Sequence, residues 1–394
     1  MSSTAVTTAM KLELPPLSLY IHIPWCIQKC PYCDFNSHSL RGDLPENQYI
    51  DQLKADLELD AHWLAGRKLE AIFLGGGTPS LFSPQSIEQL FTAIKNVGIV
   101  DETCEITLEA NPGTVDQKYF FGYREIGINR LSLGVQSWQN LQLKNLGRIH
   151  QEAHCRQAIA TLDRAGFKNF NIDIMYGLPQ QTVNEALLDL QQAIDTGAEH
   201  ISWYQLTLEP NTPFSQKPPA GLPNDEILWE IEQRGKKRLA NAGYLQYEVS
   251  AYAKANKYSR HNLNYWEFGD YLGIGAGAHS KLTDIHQGKI WRLIKHKHPK
   301  TYLGAKDSFY QQQKVIDTHD IAFEFMLNAL RLLQPISFEL FSTRTGVPID
   351  TILPTLQQLE NDGLVEQQEM SFTLSAKGQN FVNDVTSRFL TIVN

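Results

Sequence analysis

The stretch "YIHIPWCIQKCPYCDFNSH", Tyr20 to His38, decides how the chain is read. Its apolar, β-branched start closes a strand over Ser18 to Ile23, and a Cys-x3-Cys-x2-Cys array follows at once: Cys26, Cys30 and Cys33. Pro24 and Pro31 interrupt any regular helix, so the thiols belong to a loop rather than to one helical face. A zinc site would need a fourth ligand, from His22, Asp34 or His38. A four-iron cluster on three thiolates needs none, because its fourth iron stays open to a chelating substrate or cofactor.

The rest of the composition supports a metal reading of those thiols. The five cysteines are an odd number, and the amino terminus lacks the order of a secretory signal, so a reducing, cytoplasmic compartment is expected. There, clustered thiols mean metal or catalysis rather than disulfides. Net charge is −8 with no long like-charge block, which argues against nucleic acid as a partner. No apolar run reaches membrane-spanning length, and peripheral membrane contact stays open. Residues 1–17, rich in Ser and Thr, read as a flexible extension.

Working outward from Tyr20, the chain repeats one theme up to Pro210: apolar run, turn residues, helical stripe. Strands are expected at Ser18–Ile23, Ala71–Leu74, Glu105–Glu109, Arg130–Val135, Asn171–Met175 and Ile201–Thr207. Ile50, Leu53, Leu57, Ala61 and Leu64 form one helical stripe, and Ala158, Leu162 and Ala165 another. Alternating strand and helix implies a parallel α/β sheet. Polar residues cluster just past all six strand ends, Gln205 included, and such a mouth belongs to a barrel rather than to an open doubly wound sheet. A partial, TIM-like (βα)6 barrel over residues 18–245 follows.

A Pro-rich segment, Glu209 to Pro223, reads as a linker that ends the repeat. Residues 246–318 are aromatic and Gly-rich without clear alternation. Residues 319–394 read as helices followed by a hairpin, a winged-helix-like pattern. From Asp320 onward four basic residues face nine acidic ones, so this module packs or binds a protein partner rather than DNA.

Further motifs stand in chain order. In "FLGGGTPS", Phe73 to Ser80, consecutive glycines allow close backbone approach, and free amides there would receive a carboxylate. In "LEANPG", Glu109 stands at the third strand end, where it can accept from hydroxyls or cap and pair locally. With the thiol triad, these motifs resemble the oxygen-independent coproporphyrinogen III oxidase family of radical S-adenosylmethionine (SAM) proteins over nearly the whole chain. The resemblance implies a [4Fe-4S] cluster on Cys26, Cys30 and Cys33, with SAM on the open iron. It places SAM contacts at Tyr20, Tyr32, Gly76, Gly77, Thr78, Glu109, Gln136, Arg148 and Asp173.

Two departures separate the chain from the oxidase itself: Asp34 and Phe35 stand where the oxidase has Gly-Cys, and the first strand is reached by residue 18. In their place "RHNLNYWEFGDYLGIGAGAHS", Arg260 to Ser280, resembles the heme-chaperone branch of the family. That likeness implies heme binding through His261, Asn262, Tyr265 and Trp266, with His279 and Tyr271 as further candidates. It also implies heme delivery to acceptor hemoproteins, membrane respiratory proteins among them, and is compatible with a cluster-dependent homodimer. On residue chemistry alone the favoured reading of His261 is a hydrogen-bonded core histidine. The alternatives are radical-based decarboxylation of coproporphyrinogen and a zinc-stabilised binding protein without catalysis. "GIGAGAH" lacks the strand and acidic residue of a dinucleotide site and reads as a close-packed turn.

Overall fold

The computed structural model describes residues 12–64, 66–113 and 117–391. The strands expected around the barrel are present, each within three residues of the expected bounds: β1 (Leu17–Ile23), β2 (Leu69–Gly76), β3 (Glu105–Ala110), β4 (Arg130–Gln136), β5 (Asn169–Tyr176) and β6 (His200–Gln205). All pair in parallel, in sequence order. Their sequences are nearly continuous apolar runs because helices cover the outer face and side chains fill the inner one. β1 is buried except for Tyr20.

The covering helices are α1 (Glu46–Leu59), α2 (Pro84–Val97), α3 (Phe120–Glu125), α4 (Glu152–Arg164), α5 (Val183–Asp195) and α6 (Asp225–Asn241), and several start where the sequence supplies caps. Ser83 caps α2 ahead of Pro84, and Thr182 with Glu185 forms a reciprocal capping box on α5. The stripe through Ile50, Leu53 and Leu57 faces the sheet; α1 ends before Ala61, which opens a separate short helix to Leu64.

Residues 245–315 are not the irregular region expected from their sequence. They form β7 (Leu245–Glu248), β8 (Ala251–Ala253), β9 (Asp270–Ile274), β10 (His279–Asp284), β11 (Lys289–Lys295) and β12 (Tyr310–Val315), with helix α7 (Arg260–Trp266) between β8 and β9. Among the described residues they complete one sheet of 12 strands, ordered β12-β11-β10-β9-β1-β2-β3-β4-β5-β6-β8-β7. The boundary drawn at 245/246 therefore falls inside β7. The sequence hides these strands because they carry buried charges. Asp270 is fully buried with Lys281 and Arg67, and Lys295 is buried against Asp56 and Asp60. Paired in this way, the charges are tolerated inside a core that would reject them singly.

The carboxyl-terminal part forms a second apolar core on helices α8 (Ile321–Ala329), α9 (Phe338–Thr345) and α10 (Leu353–Asn361), with a three-stranded sheet of β13 (Ile336–Ser337), β14 (Val365–Gln368) and β15 (Ser371–Leu374). This is the winged arrangement expected from sequence. Of the extension, residues 1–11 lie outside the described residues. Leu12 packs on the second core, Glu13 N–H donates to the Thr343 carbonyl, and Pro16 accepts from Asp270 N–H, so the described part of the extension is docked. No helix among the described residues is long and apolar enough to cross a membrane.

Candidate functional site

The thiol loop leaves β1 and is tied back on itself. Trp25–Cys26 pairs with His38–Ser39, and Cys33 N–H donates to the Cys30 carbonyl at 3.2 Å. The segment read as a linker braces this loop: it turns into a short helix, buries Phe214, and donates Phe214 N–H to the Pro31 carbonyl at 3.0 Å, beside Tyr32. Cys26, Cys30 and Cys33 are free, partly exposed, and line one cavity of about 270 Å³.

Thiol spacing separates the two metal readings. Tetrahedral zinc with bonds of about 2.3 Å needs sulfurs roughly 3.8 Å apart. Among the described residues the only trio of metal-ligating groups whose ligand atoms all lie within 4.8 Å is Asp317, His319 and Asp320, far along the chain; the three thiols stand wider. Two of the three proposed fourth zinc ligands are engaged or turned away: His22 bonds the Asn36 carbonyl at 2.9 Å, and His38 lines a separate groove with His298. Three thiols that line one cavity together fit a cluster held by three thiolates.

Eight of the nine residues assigned to SAM line the same cavity: Tyr32, Gly76, Gly77, Thr78, Glu109, Gln136, Arg148 and Asp173. Gln136 reaches it by a left-handed backbone (φ 68°) at a register shift between β4 and β5, and its Oε1 accepts from Tyr204 at 2.8 Å. Arg148 bridges Asn111, the Gly134 carbonyl and Cys30 Sγ. Glu109 Oε2 accepts the Gly76 N–H at 3.1 Å; burial, with the neighbouring Asp173, pushes its carboxyl up to about 8. Asp173 accepts from Ser132 and Asn171, and burial raises its pKa as well.

The glycine motif works differently from expectation. Its amides are not free: Gly77 N–H donates to the Ile23 carbonyl and Thr78 N–H to the Trp25 carbonyl. Glycine is required because a Cβ on Gly77 would stand 2.5 Å from the Trp25 carbonyl oxygen, and one on Gly76 (φ +111°) the same distance from the His22 ring. The motif locks the second strand end onto the cluster loop.

The ninth residue, Tyr20, is not in this cavity. Its hydroxyl meets His22 Nδ1 at 2.9 Å, and its ring stacks on Phe73 and His261 in a neighbouring cavity of about 620 Å³. Tyr20 and His22 share one face of β1, turned toward β9 and α7. His261 and Tyr265 line this second cavity, together with Tyr271 and His279; Asn262 and Trp266 do not. Asn262 faces Tyr247, and Trp266 lies under the Arg331 guanidinium.

His261 is held firmly yet left chemically free. Glu105 accepts from Ser259 Oγ and from the N–H groups of Arg260 and His261, which pins the start of α7. The imidazole stacks on Phe73 at 4.5 Å, and among the described residues its buried Nδ1 has no hydrogen-bond partner. Burial, helped by Arg130, lowers its pKa to about 4, so the ring is neutral and carries a lone pair at pH 7. It is not the hydrogen-bonded core histidine that residue chemistry alone allowed.

Sequence reasoning missed Phe73, Glu105 and Tyr204. Gln205 was the expected strand-end group on β6, but alternation along the strand turns Tyr204 inward and leaves Gln205 exposed.

Comparison with known proteins agrees with this geometry. Residues 20–192 match the radical SAM superfamily and residues 316–381 the HemN C-terminal domain. The heme chaperone HemW of Haemophilus influenzae is 48% identical over 383 residues, covering 96% of this chain and 99% of that protein. The heme chaperone HemW of Escherichia coli is 45% identical over 379 residues, with the same coverage. The structure of coproporphyrinogen III oxidase (HemN) from Escherichia coli superposes with a TM-score of 0.81 at 23% identity, covering all of this chain and 94% of that one.

Proposed function

Because this chain belongs to the HemW family of radical SAM proteins, we propose that it is a heme chaperone, cytoplasmic, which holds heme and hands it to acceptor hemoproteins. Cys26, Cys30 and Cys33 would hold a [4Fe-4S] cluster, and the residues of the first cavity would hold SAM. The cluster supplies an open iron for chelation and a one-electron couple. Arg148 orients Cys30, Gln136 and Tyr204 shape the cavity, and Glu109 accepts from SAM hydroxyls.

The observation that carries the heme assignment is the neutral, unpartnered His261 imidazole in a cavity of about 620 Å³ walled by Phe73, Tyr20 and Tyr265. A free imidazole nitrogen suits iron, and the rings suit an apolar macrocycle. Arg292, held by Glu324 and the Tyr271 hydroxyl, stands ready for a carboxylate at the edge of the cavity. Acceptors in the respiratory membrane and a cluster-dependent homodimer belong to the same proposal. Sizing the protein with and without its cluster tests the second.

The decisive experiment is heme titration of His261→Ala. We expect affinity to fall roughly tenfold or more, about 1.4 kcal/mol, with a shifted Soret band. An unchanged band and affinity would remove His261 from the site and the carrying observation with it.

A further inference from the structure

The two cavities share three lining residues, Phe35, Gly76 and Glu109. Gly76 has no side chain, and Glu109 is tied to the Gly76 amide. Phe35 is therefore the one shared residue whose side chain is not held by a hydrogen bond. It lies two residues beyond Cys33 and is 59% exposed, unusual for so large an aromatic ring, and among the described residues it stacks on no other ring.

The backbone beneath it is fixed on both sides. Lys29 Nζ donates to the Phe35 carbonyl at 3.0 Å. Asn36 Nδ2 donates to the carbonyls of Ala276 and Lys297, each at 2.8 Å, and the Asn36 carbonyl meets His22 Nε2. Asn36 fits there because Gly277 has no Cβ: one would meet Asn36 Nδ2 at 2.2 Å. The "GIGAGAH" turn thus serves as the socket for the thiol loop. A pinned backbone with a free ring can change rotamer without moving the loop.

We propose that Phe35 is a porphyrin-contact residue that couples the two cavities: filling the thiol-side cavity fixes the Phe35 ring and thereby sets the affinity for heme on the other side. This rests on the heme reading above. An exposed ring gains by lying on an apolar macrocycle, and a ring that lines both cavities cannot occupy the same space in both. Linkage makes the coupling reciprocal, so heme must alter SAM affinity by the same factor.

The test is heme titration by Soret absorbance in three states: cluster removed by chelator, cluster reconstituted, and cluster with SAM. In the wild type we expect the affinities of the first and last states to differ by about fivefold or more. In Phe35→Ala the ratio should fall toward one while cluster absorbance and the His261-dependent Soret band persist; Phe35→Tyr should restore the ratio. Should Phe35→Ala fail to rebuild its cluster, Phe35→Leu, which keeps apolar bulk without a ring face, takes the same readout. A wild-type ratio of one, or an unchanged ratio in the alanine and leucine variants, overturns the proposal. A Soret band indifferent to His261→Ala overturns the heme reading beneath it, so the two failures are told apart.

Discussion

The two cavities are built in opposite ways. The first is assembled from six consecutive strand ends and the loops that leave them, all within residues 26–204. The second draws on β1, the thiol loop, β2 and β3, then on α7, β9, β10, β11 and α8, across residues 20–328. The first carries Asp173, raised by burial, and shares Glu109 with the second, which adds a neutral imidazole and a fence of aromatic rings. Sites made by repetition of one unit leave regular marks in a sequence. Sites made by closing distant segments on one another do not.

The sharpest way to break this contrast is Cys30→Ala. It should abolish the broad visible absorbance and iron loading of the first cavity and leave the His261-dependent Soret band in place. Loss of both together would mean that the cavities are one site. Gly77→Ala comes next. Its new methyl group would push the Trp25 carbonyl away, so a stability loss of roughly 2–4 kcal/mol is expected, read as a fall in Tm, together with failed cluster assembly. A variant as stable as wild type would show that the cluster loop is not locked as described.

A finer measurement concerns protons. With its carboxyl at about 8, Glu109 is mostly protonated at pH 7 in the ligand-free protein. On the proposed reading SAM hydroxyls and the SAM sulfonium would both favour the carboxylate, so binding is expected to release a proton. SAM affinity should therefore rise with pH, by up to about tenfold per unit, and level off above 8. Calorimetry in buffers of different ionisation enthalpy reads that proton directly, and Glu109→Gln should flatten the dependence. The imidazole of the second cavity should behave otherwise: with His261 lowered to about 4, the His261-dependent Soret band stays in place from pH 8 to 5 and is lost only near 4. A heme affinity that changes near pH 6.5 would point to a more exposed histidine.

The legible part of the fold and the legible part of the site coincide. Glu109 and Gln136 stand at the ends of clear apolar runs, their SAM roles and that of Asp173, which lies within β5, came from the family resemblance, and Cys26, Cys30 and Cys33 stood out because two prolines deny them a helix. Tyr20 was assigned to SAM through the family resemblance, but the pleat of β1 places it in the lining of the other cavity. Asp270, Lys281 and Lys295 concealed three strands, since a buried ion pair reads as surface until its partner is located. Glu105, which positions His261, gives no signal at all: its three hydrogen bonds reach residues more than 150 positions away.

β1 occupies the middle of the sheet, between β2 and β9. During synthesis its first neighbour is complete at Gly76 and its second only at Ile274, so at 5–20 residues per second roughly 10–40 s separate the two. For that interval an apolar strand has one open edge, a hazard for pairing with other nascent chains. A ribosome pause between β2 and β9 would lengthen the exposure, and early docking of the thiol loop would leave that edge bare.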